Sequence, residues 1–123
     1  MKTVPDVRVA RVYEEPESDG GARVLVDRLW PRGLSKEAAR LDEWLKDVAP
    51  STELRHWYQH EPERFAEFGA RYRAELAGAG QAAALDRLSA LCDSDTVTLL
   101  TATKDVGISH AAVLAGVLTD TAA

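Results

Sequence analysis

The sequence predicts an α/β domain in which a small mixed sheet of about three to four strands is flanked by helices and closed by a C-terminal strand-loop-helix unit. Three observations predict it: β-prone runs at residues 7–13, 22–27 and 96–101, helical apolar spacing between the second and third of them, and a capping serine before a last apolar helix. With 123 residues, 46% of them hydrophobic and 28% charged, the chain reads as one soluble domain spanning residues 1–123. At this length folding buries roughly two-thirds of the surface of the unfolded chain, enough for a core without disulfide or metal staples.

The first strand is carried by Val7, Val9, Val12 and Tyr13, and it ends at the polar, glycine-closed loop Glu14-Glu15-Pro16-Glu17-Ser18-Asp19-Gly20-Gly21. The second, Ala22-Arg23-Val24-Leu25-Val26-Asp27, breaks at Trp30-Pro31-Arg32-Gly33, because proline cannot donate to a ladder and glycine supplies a turn. So short a connection predicts that these two strands are antiparallel neighbours. Ser35 then caps a short helix, and residues 42–48 read as another turn or two of helix before Pro50. Ser51 caps a helix running to about His60, and Pro62 suits the first turn of the next.

Phe65, Phe68, Tyr72 and Leu76 recur at helical spacing as one apolar stripe, with Glu67 and Arg71 able to pair outside it. Gly78 and Gly80 end that helix, and Leu85, Leu88, Leu91 and Cys92 trace the buried side of another. Residues 96–101 form the third strand, residues 103–108 a loop, and Ser109 caps a final helix with Val113, Leu114, Val117 and Leu118 on one side. The helical crossover before this strand makes the second and third strands parallel.

A single cysteine, Cys92, cannot form an internal bridge, which excludes a disulfide scaffold and points to a reducing compartment. No run approaches the ~18 apolar residues of a membrane span, and residues 1–10 lack a signal-peptide core, so a cytoplasmic protein with no membrane partner is expected. Fifteen Lys and Arg stand against 20 Asp and Glu, a net charge of -5, with no basic tail or lysine run, which counts against general DNA binding. The basic residues do gather locally: Arg23, Arg28, Arg32, Lys36 and Arg40 fall within 18 residues.

Ligands of open α/β sheets bind beyond the carboxyl ends of parallel strands, and two loops qualify here. One carries Asp27, Arg28, Trp30, Arg32 and Gly33; the other carries Lys104, Ser109 and His110. Arg28 and Arg32 offer planar forks for phosphate or carboxylate, Lys104 a point charge, and the helix start beside Ser109 free N–H groups, so an anionic ligand is the expected partner. His110 at the first helical position would be disfavoured as imidazolium and could act as a neutral base, with Asp27 orienting it.

Plainer readings stand beside these. Asp27 with Arg28 makes a strand-terminating ion pair as readily as a site, Trp30 a core or cleft wall, and Lys104 a solvated loop residue. His56 and His60, four apart, face one way on a helix, but without a third ligand at clear spacing they read as a solvated face, and no metal site is expected. Cys92 lies on an apolar stripe and reads as a small buried hydrophobe. No phosphate-binding loop, dinucleotide fingerprint, nucleophile elbow or paired-cysteine motif is present, and no cofactor is named by the sequence.

The run Arg-Val-Leu-Val-Asp-Arg-Leu-Trp-Pro-Arg-Gly-Leu-Ser-Lys at residues 23–36 resembles the YeaO-like branch of a bacterial family, the domain of unknown function 488. Arg11-Val12-Tyr13, Ala49-Pro50-Ser51 with Leu54-Arg55, His60, Phe68 with Tyr72, Glu75-Leu76, Leu99-Leu100, Lys104 and His110 extend the resemblance over nearly the whole chain. It implies a compact cytoplasmic α/β domain whose most distinctive segments are the Asp-Arg motif and the Lys-to-His segment, but no reaction. Two positions depart from the family pattern: Thr101 stands where an aromatic residue, usually tyrosine, is common, and Ser109 where asparagine is usual. The second change keeps a capping side chain; the first puts tyrosine-dependent chemistry in doubt.

The expected function is a small enzyme acting on a phosphate-bearing metabolite, a nucleotide or another anion, with Arg28, Arg32, Lys104 and Ser109 binding it and Asp27 and His110 handling protons. The alternative is a non-catalytic binding or regulatory module, nucleic acid among its candidate partners, using the same positive cleft. Whether there is turnover, and whether copies of the chain associate through the cleft, is left open by the sequence.

Overall fold

The structure, a computed structural model, describes residues 6–14 and 21–120. Its elements in chain order are β1 (Val7–Arg11), β2 (Ala22–Leu25), α1 (Lys36–Ala39), β3 (Glu43–Trp44), α2 (Thr52–Tyr58), α3 (Phe65–Leu76), α4 (Ala79–Ser94), β4 (Val97–Thr101) and α5 (His110–Asp120). Short 3-10 turns stand at Lys46–Val48, Pro62–Arg64 and Val106–Ile108. The fold is α/β, with a four-stranded sheet flanked by helices.

All five residues of β4 are buried, as expected of a strand covered on both sides in a parallel sheet. The sheet order is β1-β4-β2-β3 and every pairing is parallel. This corrects the antiparallel pairing expected for the first two strands, and with it the mixed sheet. Val7 of β1 and Ala22 of β2 both lie opposite Val97, so the two strands start level with β4 between them. The reason is that β4 offers each strand a buried aliphatic partner. The polar loop, residues 15–20, lies outside the described residues.

Alternation along the central strands separates two layers of core. Val24, Val26, Val97 and Leu99 face the larger cluster, built with Leu54 and Tyr58 of α2, Phe68, Tyr72 and Leu76 of α3, Leu88 and Cys92 of α4 and Leu114 and Val117 of α5. Leu25 and Leu100 point the other way, into a smaller cluster with Val12, Trp30, Leu34 and Leu41. The expected stripe of α3 is therefore the seam of the main core, and Cys92 is buried in it. The Glu67–Arg71 pair forms on the exposed side.

Residues 42–48 differ from their helical expectation: they form the two-residue β3, held by Leu45 N–H donating to the Leu25 carbonyl at 2.9 Å, and then one 3-10 turn. Their local propensity is overruled by the free edge of β2. Gly78 and Gly80 also act differently, since Gly78 starts α4 and Gly80 lies inside it.

Ser51 fixes the start of α2. Its Oγ accepts the Leu54 N–H at 3.1 Å and donates to Glu75 Oε2 at 2.5 Å, while its own N–H donates to Glu75 Oε1 at 2.9 Å. One residue thus caps α2 and ties it to α3. Ser51→Ala is expected to cost about 1.5 kcal/mol, read as a shift of the urea midpoint with an unchanged slope. A shift under a third of that size would show that the tie is not structural.

Candidate functional site

The carboxyl ends of β2 and β4 open onto a cleft of about 340 Å³. The chain leaves β2 through residues 26–35, and Asp27 is the first side chain past the strand pair to turn into it. Asp27 Oδ2 accepts the Ala102 N–H at 2.8 Å, which ties the end of β2 to the end of β4. Its main-chain carbonyl accepts the Trp44 indole N–H at 2.7 Å, which ties it to β3 as well.

His110, the first residue of α5, meets Asp27 from the other loop. Its Nε2 lies 2.9 Å from the Val26 carbonyl and 3.3 Å from Asp27 Oδ1. A carbonyl oxygen only accepts, so Nε2 carries the hydrogen and donates it, and the nitrogen available to act as a base is Nδ1. No hydrogen bond among the described residues reaches Nδ1. The Tyr72 ring packs edge-on against this imidazole with centroids 6.1 Å apart. Burial works against the charge of Asp27, but the hydrogen bond and charge of His110, the Ala102 N–H and the Thr101 hydroxyl outweigh it and hold the carboxyl below the ordinary aspartate value. Thr101, at the position where the family resemblance leads one to expect an aromatic residue, donates its hydroxyl to Thr103 Oγ1 at 3.1 Å.

Three guanidiniums and three imidazoles line the cleft against one carboxylate: Arg28, Arg32, Arg55, His56, His60 and His110 against Asp27. Among the described residues none of the three arginines pairs with a carboxylate. Arg28 commits an Nη2 donor to the Ala49 carbonyl at 3.2 Å, and its buried Nε–H has no hydrogen-bond partner among the described residues. Arg32 is exposed at the rim, its carbonyl accepting the Tyr13 hydroxyl at 3.0 Å.

Of the residues singled out by sequence, the cleft gathers Asp27, Arg28, Arg32 and His110. It does not gather Lys104, which stands exposed on its loop, nor Ser109, whose buried hydroxyl donates to the Val106 carbonyl at 2.7 Å and accepts the Ala112 N–H at 3.3 Å as the cap of α5. Arg55, not assigned to the site from the sequence, and His56 and His60, read there as a solvated face, also line the cleft. Their signal was the capped helix itself, since Ser51 aims α2 across the sheet ends; two non-glycine residues in left-handed backbone, Gln59 at φ 48° and His60 at φ 56°, then turn His60 back to within 5.7 Å of the Tyr58 ring. Among the described residues no group of three or more His, Cys, Asp or Glu is placed to hold a metal ion, and no helix is long and apolar enough to cross a membrane.

The aromatic lining is fixed by its polar tips. Trp30 donates its indole N–H to the Leu34 carbonyl at 2.6 Å and stands edge-to-face with Trp44 at 5.4 Å, and Tyr58 donates its hydroxyl to the Ile108 carbonyl at 2.6 Å while stacking on Phe68 at 4.1 Å.

Comparisons with known proteins place this chain in a family. An uncharacterized protein of Mycobacterium tuberculosis and another of Mycobacterium bovis are each 56% identical over 112 residues, covering 91% of this chain and 92% of theirs. The uncharacterized protein YeaO of Escherichia coli is 43% identical over 110 residues, 89% of this chain and 94% of its own. No solved structure matches. A family model described as the inactive DUF488-N3 subclade matches residues 6–123, and the chain belongs to that family.

Proposed function

We propose that the cleft binds a small anionic ligand and holds it without turnover. The observation that carries this reading is the set of three arginines, without carboxylate partners among the described residues, that line a concave site whose described lining has one acid. Guanidinium forks of this kind bind phosphate or carboxylate through charge-assisted hydrogen bonds. Two further observations favour binding over chemistry. His110 commits Nε2 to a main-chain carbonyl, so the Asp27–His110 contact clamps three backbone segments together, and the matching family model is described as inactive. The ligand-binding residues are then Arg28, Arg32 and Arg55, with Asp27 and His110 as the frame that positions them.

The test is calorimetric titration of the full chain with inorganic phosphate and a panel of small phosphates at two ionic strengths. Saturable binding that weakens with salt is expected, and Arg32→Ala or Arg55→Ala should weaken it roughly 10- to 100-fold, the range for a charged hydrogen bond. Binding unchanged in both variants, or none at all, sinks the reading.

A second reading, proton transfer by Asp27 and His110 on the bound anion, is favoured by one observation: Nδ1 of His110 is unengaged among the described residues while Nε2 lies beside a partly buried carboxylate. Turnover of any phosphate in the panel that is lost in His110→Ala with binding retained would establish it. A nucleic-acid partner would show instead as retention of DNA that falls steeply with salt.

A further inference from the structure

We infer that the anion this cleft selects carries a planar aromatic or heteroaromatic ring, the charged group meeting the arginines and the ring lying against Trp30. The inference rests on the anion-binding reading and adds the other half of the ligand. It starts from size: about 340 Å³ is several times what an inorganic phosphate fills and falls in the ~300–1,000 Å³ range of pockets for organic ligands. The space left beside the charged group must be occupied, and the walls say by what.

Trp30 and Tyr58 have their polar atoms engaged by the Leu34 and Ile108 carbonyls, so hydrocarbon is what they offer the cleft. Both rings are also immobilised, Trp30 against Trp44 and Tyr58 against Phe68, so a ligand ring would stack without first having to order its partner. Leu29, which also lines the cleft, is 68% exposed, the most exposed large hydrophobic side chain among the described residues. An apolar group seated on Trp30 would cover it. Cations and fixed ring surface with an exposed leucine line one cleft, a match for an amphiphilic ligand.

Four probes on the full chain test this by titration calorimetry at one ionic strength: inorganic phosphate, phenyl phosphate, adenosine 5′-monophosphate and uncharged adenosine. Phenyl phosphate and adenosine 5′-monophosphate should each bind at least about tenfold more tightly than phosphate and than adenosine, and whichever is tighter tells benzenoid from heteroaromatic recognition. Trp30→Ala should remove the advantage of the ring while leaving phosphate affinity within about twofold. Should that variant not fold, intermolecular NOEs from ligand ring protons to Trp30 in the unaltered chain carry the same expectation. Equal affinity for phosphate and its two ring esters, or ring protons without NOEs to Trp30, overturns this inference and leaves the anion site standing. Adenosine binding as tightly as its monophosphate overturns it as well, and binding of none of the four overturns the anion reading too.

Discussion

Asp27→Ala is expected to lower the stability of the folded chain by about 3 kcal/mol, because two partners lose their acceptor or their counter-charge at once. The part-buried Ala102 N–H, 2.8 Å from Asp27 Oδ2, is left without its acceptor, and His110 loses the carboxylate 3.3 Å from Nε2. Asp27→Asn keeps an acceptor for Ala102 and should lose about half as much. The two substitutions separate the frame from the chemistry: if the cleft only binds, both variants hold phosphate once folded, whereas a proton-transfer site would lose turnover in both alike.

The pH dependence has a definite sign. The carboxyl of Asp27 is held below its ordinary value in the fold, so its contribution is fully present above the unfolded aspartate pKa and is lost as pH falls through the folded one. Between neutrality and about pH 4 the difference between wild type and Asp27→Asn should therefore be constant, and it should shrink below that. Urea midpoints at a series of pH values measure this; a difference that instead grows in acid would place the stabilising charge elsewhere.

Gly21→Ala should cost as much or more, on the order of 3–4 kcal/mol, and by a different cause. Gly21 has φ +66°, where an L side chain costs roughly 1–2 kcal/mol, and a Cβ built on it would meet the Thr96 carbonyl oxygen at 2.0 Å and its carbon at 2.6 Å. The neighbouring Ala22 N–H donates to that same oxygen at 2.9 Å, so relief of the collision breaks the hydrogen bond that starts β2 against β4. Gly33 provides the control: its φ is +75° but nothing lies within 4 Å of its would-be Cβ, so Gly33→Ala should show the conformational cost alone. Equal midpoints for the two variants would mean that the close approach at Thr96 is not maintained in solution. Small domains have only ~5–15 kcal/mol in hand, so Gly21→Ala should leave the chain partly unfolded near body temperature.

Much of the molecule was legible because it is written in local chemistry. The serine caps at Ser35, Ser51 and Ser109 act through residues three or fewer positions away, and the stripe from Phe65 to Leu76 repeats within one helix, so neither needs knowledge of the rest of the chain. The meeting of Asp27 and His110 followed from a general property of parallel sheets, in which strand ends gather loops distant in sequence. What failed was decided at long range. The insertion of β4 between β1 and β2 depends on a strand far downstream of both, and β3 exists because β2 has a free edge for two residues to join. Lys104 and Arg55 show the same limit in the site: composition nominates basic residues, but only the packing of α2 and the path of the last loop decide which of them face the cleft.

That central position of β4 also bears on how the chain is made. Synthesis runs from the N-terminus, and β1 and β2 emerge early with neither able to pair with the other, since the strand that joins them is the last of the four to appear. Until residues 97–101 leave the ribosome the sheet has no spine, and the β2–β3 pair stands without its buried neighbour. The central pairings of the sheet are thereby deferred until that strand emerges, when it joins β1 to β2 in one step. The cleft, whose floor is the end of that strand, comes into being in the same step.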